Sequence, residues 1–102
     1  MSQVTKFSFA AEVWEHAGSA AWHFVSLPET IADDIEEWFG HRAAGFGSLK
    51  VQVTIGRTTW STSIFPDSKR ATYVLPVKKA VRTAEGLVDG SVADITLEVV
   101  AI

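Results

Sequence analysis

Three cationic side chains lie close together in one short segment of the sequence. Lys78, Lys79 and Arg82 follow Pro76, and on a helix Lys78 and Arg82 share a face that Lys79 flanks. An arginine offers a bidentate fork and a lysine a point charge, so the cluster is suited to hold a phosphate or a carboxylate. The alternative interpretation is a solvated helix face, or Arg82 paired with a carboxylate that fixes the helix.

A second group of candidate residues combines aromatic rings with hydroxyls. Trp60 and Thr62 alternate with serines along one predicted strand, and ligand pockets mix apolar walls with a few polar groups. We expect Trp60 and Thr62 to line the mouth of a pocket, with Tyr73, Trp14 and Trp22 as further walls. The alternative is that Trp60 fills the protein interior while the hydroxyls face water. The candidate ligand-binding residues are Trp60, Thr62, Tyr73, Lys78 and Arg82.

The sequence lacks the residue patterns that thiol chemistry, metal binding, dinucleotide binding and serine catalysis require. There is no cysteine, which excludes disulfides, thiolate metal sites and a cysteine nucleophile. The three histidines are scattered, whereas a zinc site needs at least three convergent ligands. Residues 45–47 (GFG) lack the third glycine of a dinucleotide loop. No serine has an assignable base, so we expect no catalytic residues, no metal and no cofactor.

Composition narrows the class of protein. With 102 residues and 47% hydrophobic residues, the chain fits a single globular domain, residues 1–102. The net charge of −3 argues against a dedicated nucleic-acid binder, which usually carries a basic excess. The sequence shows no secretion signal and no apolar stretch of membrane-spanning length. We therefore expect a cytoplasmic protein without a membrane partner.

The periodicity of apolar residues predicts a mostly β protein. Alternation of apolar and polar residues typical of half-buried strands occurs in six segments, and the second of these places Phe24 in the interior. Many short strands with two helices favour a small closed, antiparallel-rich β-barrel of about six to seven strands. The predicted strands are 7–13, 21–25, 49–55, 58–65, 72–75 and 95–99.

Two helices are predicted between these strands. Ser26 and Glu29 have the spacing of a capping box, with Pro28 in the first turn, and the helix should end near Gly40. Acidic residues cover its face opposite the apolar stripe, which we interpret as a solvated surface. The second helix, 77–84, should end at Gly86. Its predicted buried residues are Val77, Ala80, Val81 and Ala84.

Five segments of the sequence form a distinctive set: 18–22 (GSAAW), 26–28 (SLP), 45–51 (GFGSLKV), 59–66 (TWSTSIFP) and 73–82 (YVLPVKKAVR). Together and in this order, they resemble the DUF1905 family of bacterial and archaeal domains of unknown function. The resemblance implies a small closed β-barrel that carries two helices, and no established reaction. Some members carry an additional helical segment that resembles OmpD-associated, bacteriocin-protection proteins. Since this sequence lacks that segment, we expect such a helical partner to act in trans.

A shorter resemblance lies within the C-terminal third. Segments 74–82 (VLPVKKAVR) and 86–92 (GLVDGSV) are similar to the half-barrel repeat of AbrB-type regulators, which bind DNA as swapped dimers. The shared order of strand, proline, short helix, glycine turn and strand can also reflect barrel architecture alone.

Three functions remain open at this point. The leading hypothesis is a non-enzymatic module that binds a small anionic or aromatic ligand, or another protein. The first alternative is an AbrB-like DNA-binding transcriptional regulator, which the acidic composition disfavours. The second alternative is a small barrel enzyme whose reaction the residues do not specify.

Overall fold

The computed structural model describes residues 5–18, 22–43 and 45–100. This part of the chain contains six strands and two helices, and two short 3-10 turns, Gly40–Arg42 and Gly45–Gly47, follow the first helix. The strands are β1 (Lys6–Glu15), β2 (His23–Ser26), β3 (Leu49–Ile55), β4 (Thr58–Asp67), β5 (Thr72–Pro76) and β6 (Val92–Val99). The helices are α1 (Glu29–Phe39) and α2 (Lys79–Glu85).

The strands close into a barrel in the order β1-β2-β5-β4-β3-β6, and every pairing is antiparallel. The predicted mostly β fold with a closed barrel and two helices is confirmed. Each strand therefore has two neighbours in the barrel. Along β1 the two partners occupy different stretches, since residues 6–12 pair with β6 and residues 13–15 pair with β2. No helix in the described part of the chain is long and apolar enough to cross a bilayer.

The barrel interior follows the period of two that the sequence shows. In β3, Leu49, Val51 and Val53 are fully buried while the residues between them face outward. Trp60 of β4 lies opposite Val53 and is 9% exposed. Alternating apolar side chains from neighbouring strands therefore fill one continuous core, and α1 contributes Ile35 and Phe39 to it.

The predicted capping box at the start of α1 is wrong. Ser26 is the last residue of β2, and its hydroxyl accepts a hydrogen bond of 3.0 Å from Nε1 of Trp14. Pro28 occupies the N-cap position instead, and its carbonyl accepts the hydrogen bond of Ala32 N–H. Strand pairing with β5 extends to Ser26, which lies opposite Val74. Ser26 therefore has the sequence spacing of a capping residue but belongs to a strand and does not cap the helix.

The burial of β2 also differs from prediction. His23 and Val25 are buried, whereas Phe24 is only half-buried and packs against Trp14 in a tilted arrangement at a ring separation of 5.0 Å. Because side chains alternate along a strand, one face cannot bury both His23 and Phe24. The register with β1, in which Glu15 lies opposite His23, selects His23.

Helix α2 is two turns long and buries little of its surface. Val81 is its buried residue, and Val77 is buried just before it begins. Ala80 and Ala84, which the sequence placed inward, are exposed, because so short a helix contacts the barrel along a narrow stripe only. It ends at Gly86 with a φ of 64°, the left-handed conformation expected of a C-terminal glycine.

Candidate ligand-binding site

A cavity of about 610 Å³ opens where the beginning of β2, the middle of β4 and the start of α2 meet. Its volume lies within the range of about 300–1,000 Å³ that is usual for small-molecule sites. The cavity is lined by Trp22, His23, Trp60, Ser61, Thr62, Pro76, Val77, Lys78, Lys79 and Arg82.

Backbone hydrogen bonds bring the start of α2 against β2. The N–H of Val77 donates a hydrogen bond of 2.9 Å to the carbonyl of His23. Nε of Arg82 donates to the carbonyl of Val77 at 3.1 Å, which turns this long side chain back along the helix toward the cavity. Lys78 is the N-cap residue of α2. The segment after Pro76 therefore delivers its cations to one side of the cavity.

The aromatic wall is built from two tryptophans with different surroundings. Trp60 belongs to the barrel core, whereas Trp22 is 56% exposed. Trp22 stacks on Phe24 at a ring separation of 6.1 Å and an interplanar angle of 15°, and Phe24 packs in turn on Trp14. This row of rings holds the Trp22 indole in place while much of its surface stays open, so a ligand gains apolar contact without first ordering the ring.

Cationic side chains are concentrated on the lining of the cavity. Lys78, Lys79 and Arg82 line it, and no carboxylate belongs to its described lining. The complete sequence carries a net charge of −3, so this concentration of positive charge runs against the overall balance. Low-dielectric walls such as the indole rings strengthen the field of nearby charges. The arrangement is suited to anions.

His23 is the buried polar side chain of the described core. It is 8% exposed, and its Nε2 lies 3.9 Å from Oε2 of Glu15. Its Nδ1 is buried and has no hydrogen-bond partner among the described residues. We did not select His23 from the sequence, although its alternation with Val25 along β2 would have placed it on the buried face.

The structure brings four of the five predicted site residues together. Trp60, Thr62, Lys78 and Arg82 line the same cavity. Tyr73 lies elsewhere, in a depression of about 380 Å³ that it shares with acidic residues of α1 and β4. Tyr73 is separated from the cavity because, in β5, it pairs with Pro66 near the C-terminal end of β4, six residues beyond Trp60. Burial raises the pKa of the Tyr73 hydroxyl, and the negative charge of Glu36 raises it further.

Trp14 and Trp22, the further walls predicted from the sequence, also separate. Trp22 lines the cavity, whereas Trp14 donates its N–H to Ser26 and carries the Arg70 guanidinium 4.0 Å from its ring centroid. Ser61, an exposed residue of β4, lies with Trp22 on the cavity lining. Within residues 5–18, 22–43 and 45–100, no three histidine, aspartate or glutamate side chains converge as metal ligands.

The family described as "Domain of unknown function (DUF1905)" matches residues 9–97. The chain belongs to the DUF1905 family. The resemblance seen in the sequence segments is thereby confirmed. The DUF1905 match spans all ten cavity residues, from Trp22 to Arg82. Among curated proteins, none is similar enough to this chain to serve as a relative.

Proposed function

We propose that this DUF1905 domain is a binding module that holds a small organic anion with an aromatic body in the cavity beside α2. The observation that carries the proposal is the convergence of two indole rings and three cations on one cavity whose described lining has no carboxylate. Apolar walls with a few convergent polar groups are the usual features of a ligand site.

The anionic part of the ligand is expected beside α2. Lys78 and Lys79 are exposed at the start of this helix, and the Arg82 side chain is held against Val77 by its Nε–H. Together they place three cations on the described lining of the cavity. Binding through such exposed lysines weakens as salt is added, because ions screen them.

The apolar part of the ligand is expected against the indoles. Trp22 exposes 56% of its surface and is braced by Phe24. Covering exposed ring surface contributes about 25 cal/mol per Å². The hydroxyls of Ser61 and Thr62 lie on the same cavity and supply orientation rather than most of the affinity.

The test is a calorimetric titration with three probes: phenyl phosphate, inorganic phosphate and benzyl alcohol. We expect phenyl phosphate to bind at least about tenfold more tightly than either of the others, because it engages both halves of the site. Lys78→Ala and Trp22→Ala should each weaken phenyl phosphate binding about tenfold. Lys50→Ala is the matched control, since Lys50 is an exposed lysine of β3 outside the cavity.

Other results would replace the proposal. If no probe binds, or if Lys78→Ala behaves like Lys50→Ala, the cavity is not an anion site. Salt-sensitive retardation of duplex DNA by a homodimer would support the regulator hypothesis instead. Chemical conversion of a bound probe would support the enzyme hypothesis.

A further inference from the structure

His23 combines burial with an unfulfilled hydrogen-bonding atom. The side chain is 8% exposed and the residue belongs to the cavity lining, yet its Nδ1 has no partner among the described residues. A buried polar atom without a partner is costly and rare in native structures. The backbone carbonyl of His23 accepts a hydrogen bond from Val77 N–H. The missing hydrogen bond is therefore one to the imidazole and not to this backbone carbonyl.

The surrounding charges indicate which hydrogen bond is missing. Nε2 faces the Glu15 carboxylate of β1 at 3.9 Å, and a carboxylate favours the N–H on the nitrogen that faces it. The neutral imidazole carries a single N–H, on one of its two ring nitrogens. Nδ1 then carries a lone pair and is a hydrogen-bond acceptor without a donor.

We propose that Nδ1 of His23 accepts a hydrogen bond from the ligand, and that the ligand is therefore an aromatic anion whose ring also bears an O–H or N–H donor. This inference rests on the proposed function and adds the feature that selects among aromatic anions. We place the donor beside this ring because His23 belongs to the cavity lining and the broad χ2 torsion of histidine lets the ring turn toward a bound ligand. A site with a buried unpaired acceptor discriminates against analogues that lack the donor.

The experiment compares benzoate with its ortho, meta and para hydroxy derivatives in calorimetric titrations. We expect at least one hydroxybenzoate to bind about tenfold more tightly than benzoate. His23→Phe should abolish this preference, because the acceptor is lost, so that benzoate and its hydroxy derivatives bind with similar affinity. His41→Phe is the control, since His41 is exposed and lies outside the cavity.

Nitrogen-15 spectra of the wild-type histidines provide a second measurement that does not depend on a folded variant. Nδ1 of His23 should show the shift of an unprotonated nitrogen in the free protein, and it should move with the preferred hydroxybenzoate but not with benzoate. Equal affinity for all four acids, a preference that survives in His23→Phe, or a protonated Nδ1 overturns the inference while the proposed function stands. Failure of all four acids and of phenyl phosphate overturns both.

Discussion

The hydroxyl of Thr58 donates a hydrogen bond of 2.6 Å to Oε2 of Glu85. Thr58 begins β4, directly after the β3–β4 turn, and Glu85 is the last residue of α2. The bond therefore joins the C-terminal end of α2 to the barrel, while the bond between Val77 and His23 joins the segment before its N-terminal end. Since Val81 is the buried residue of α2, we infer that these two hydrogen bonds help to hold the cations of the cavity in place.

We expect Thr58→Val to destabilise the domain by about 1–2 kcal/mol, because a charged, partly buried acceptor loses its donor. Urea denaturation followed by tryptophan fluorescence measures the change. Thr59→Val is the control: its hydroxyl pairs with Thr54 at an exposed site, where water replaces the lost bond and the cost should stay below about 0.5 kcal/mol. Equal costs for the two variants would contradict the structural role of the Glu85 contact.

We expect Gly56 to tolerate a side chain less well than Gly86, although both glycines have a left-handed backbone. Gly56 and Gly86 both have positive φ, 58° and 64°. A Cβ at Gly56 would collide with the Glu85 carboxyl, whereas a Cβ at Gly86 meets nothing within 4 Å. Gly86→Ala should cost about 1 kcal/mol for the left-handed backbone alone. Gly56→Ala should cost about 1–2 kcal/mol more, because the hydrogen bond to Thr58 is displaced as well.

The same measurement in a Glu85→Ala background isolates the collision. There the penalties of Gly56→Ala and Gly86→Ala should converge to within about 0.5 kcal/mol. A gap that persists without the Glu85 carboxyl would show that the difference lies in the turn itself.

A double-mutant cycle should distinguish the two roles considered for Ser26. The structure makes it the acceptor for Trp14 N–H at 3.0 Å rather than the cap of α1. Ser26→Ala and Trp14→Phe should each destabilise the domain, with a coupling free energy of about 1 kcal/mol between them. Additive effects, together with a loss of helical circular dichroism in Ser26→Ala alone, would indicate a capping role instead.

The single tyrosine of the sequence provides a direct pH readout. Burial, and then the Glu36 charge, raises the pKa of Tyr73 above its ordinary value of 10.0. Because the folded pKa is the higher one, its contribution to stability is complete below pH 10.0 and is lost as the pH rises through the folded value. Tyrosinate absorbance at alkaline pH measures the midpoint.

We expect that midpoint to lie above 10.0 in the folded protein and to fall when Glu36→Gln removes the neighbouring charge. Glu29→Gln is the control, because Glu29 is on the same helix but outside the depression that holds Tyr73. A midpoint at or below 10.0, or equal shifts in the two variants, would contradict the described surroundings of the hydroxyl.

The cation cluster and the aromatic strand were visible in the sequence because both are local. Lys78 and Arg82 are four residues apart, a spacing that defines one helix face, and Trp60 and Thr62 share a strand face by alternation. That the two groups line one cavity is a separate fact. It depends on the hydrogen bond that the N–H of Val77, just before α2, donates to the carbonyl of His23 in β2. The two residues are far apart in the sequence, so no local pattern predicts this contact.

By itself, the sequence determined a single mostly β barrel with two helices, because apolar period and turn residues act over a few neighbouring positions. Only the tertiary structure decided the interior of β2 and the surroundings of Tyr73. Pairing with β1 buried His23 instead of Phe24, and pairing with the end of β4 carried Tyr73 away from the cavity. Strand register is set by partners distant in the chain, and a shift of one residue exchanges the two faces.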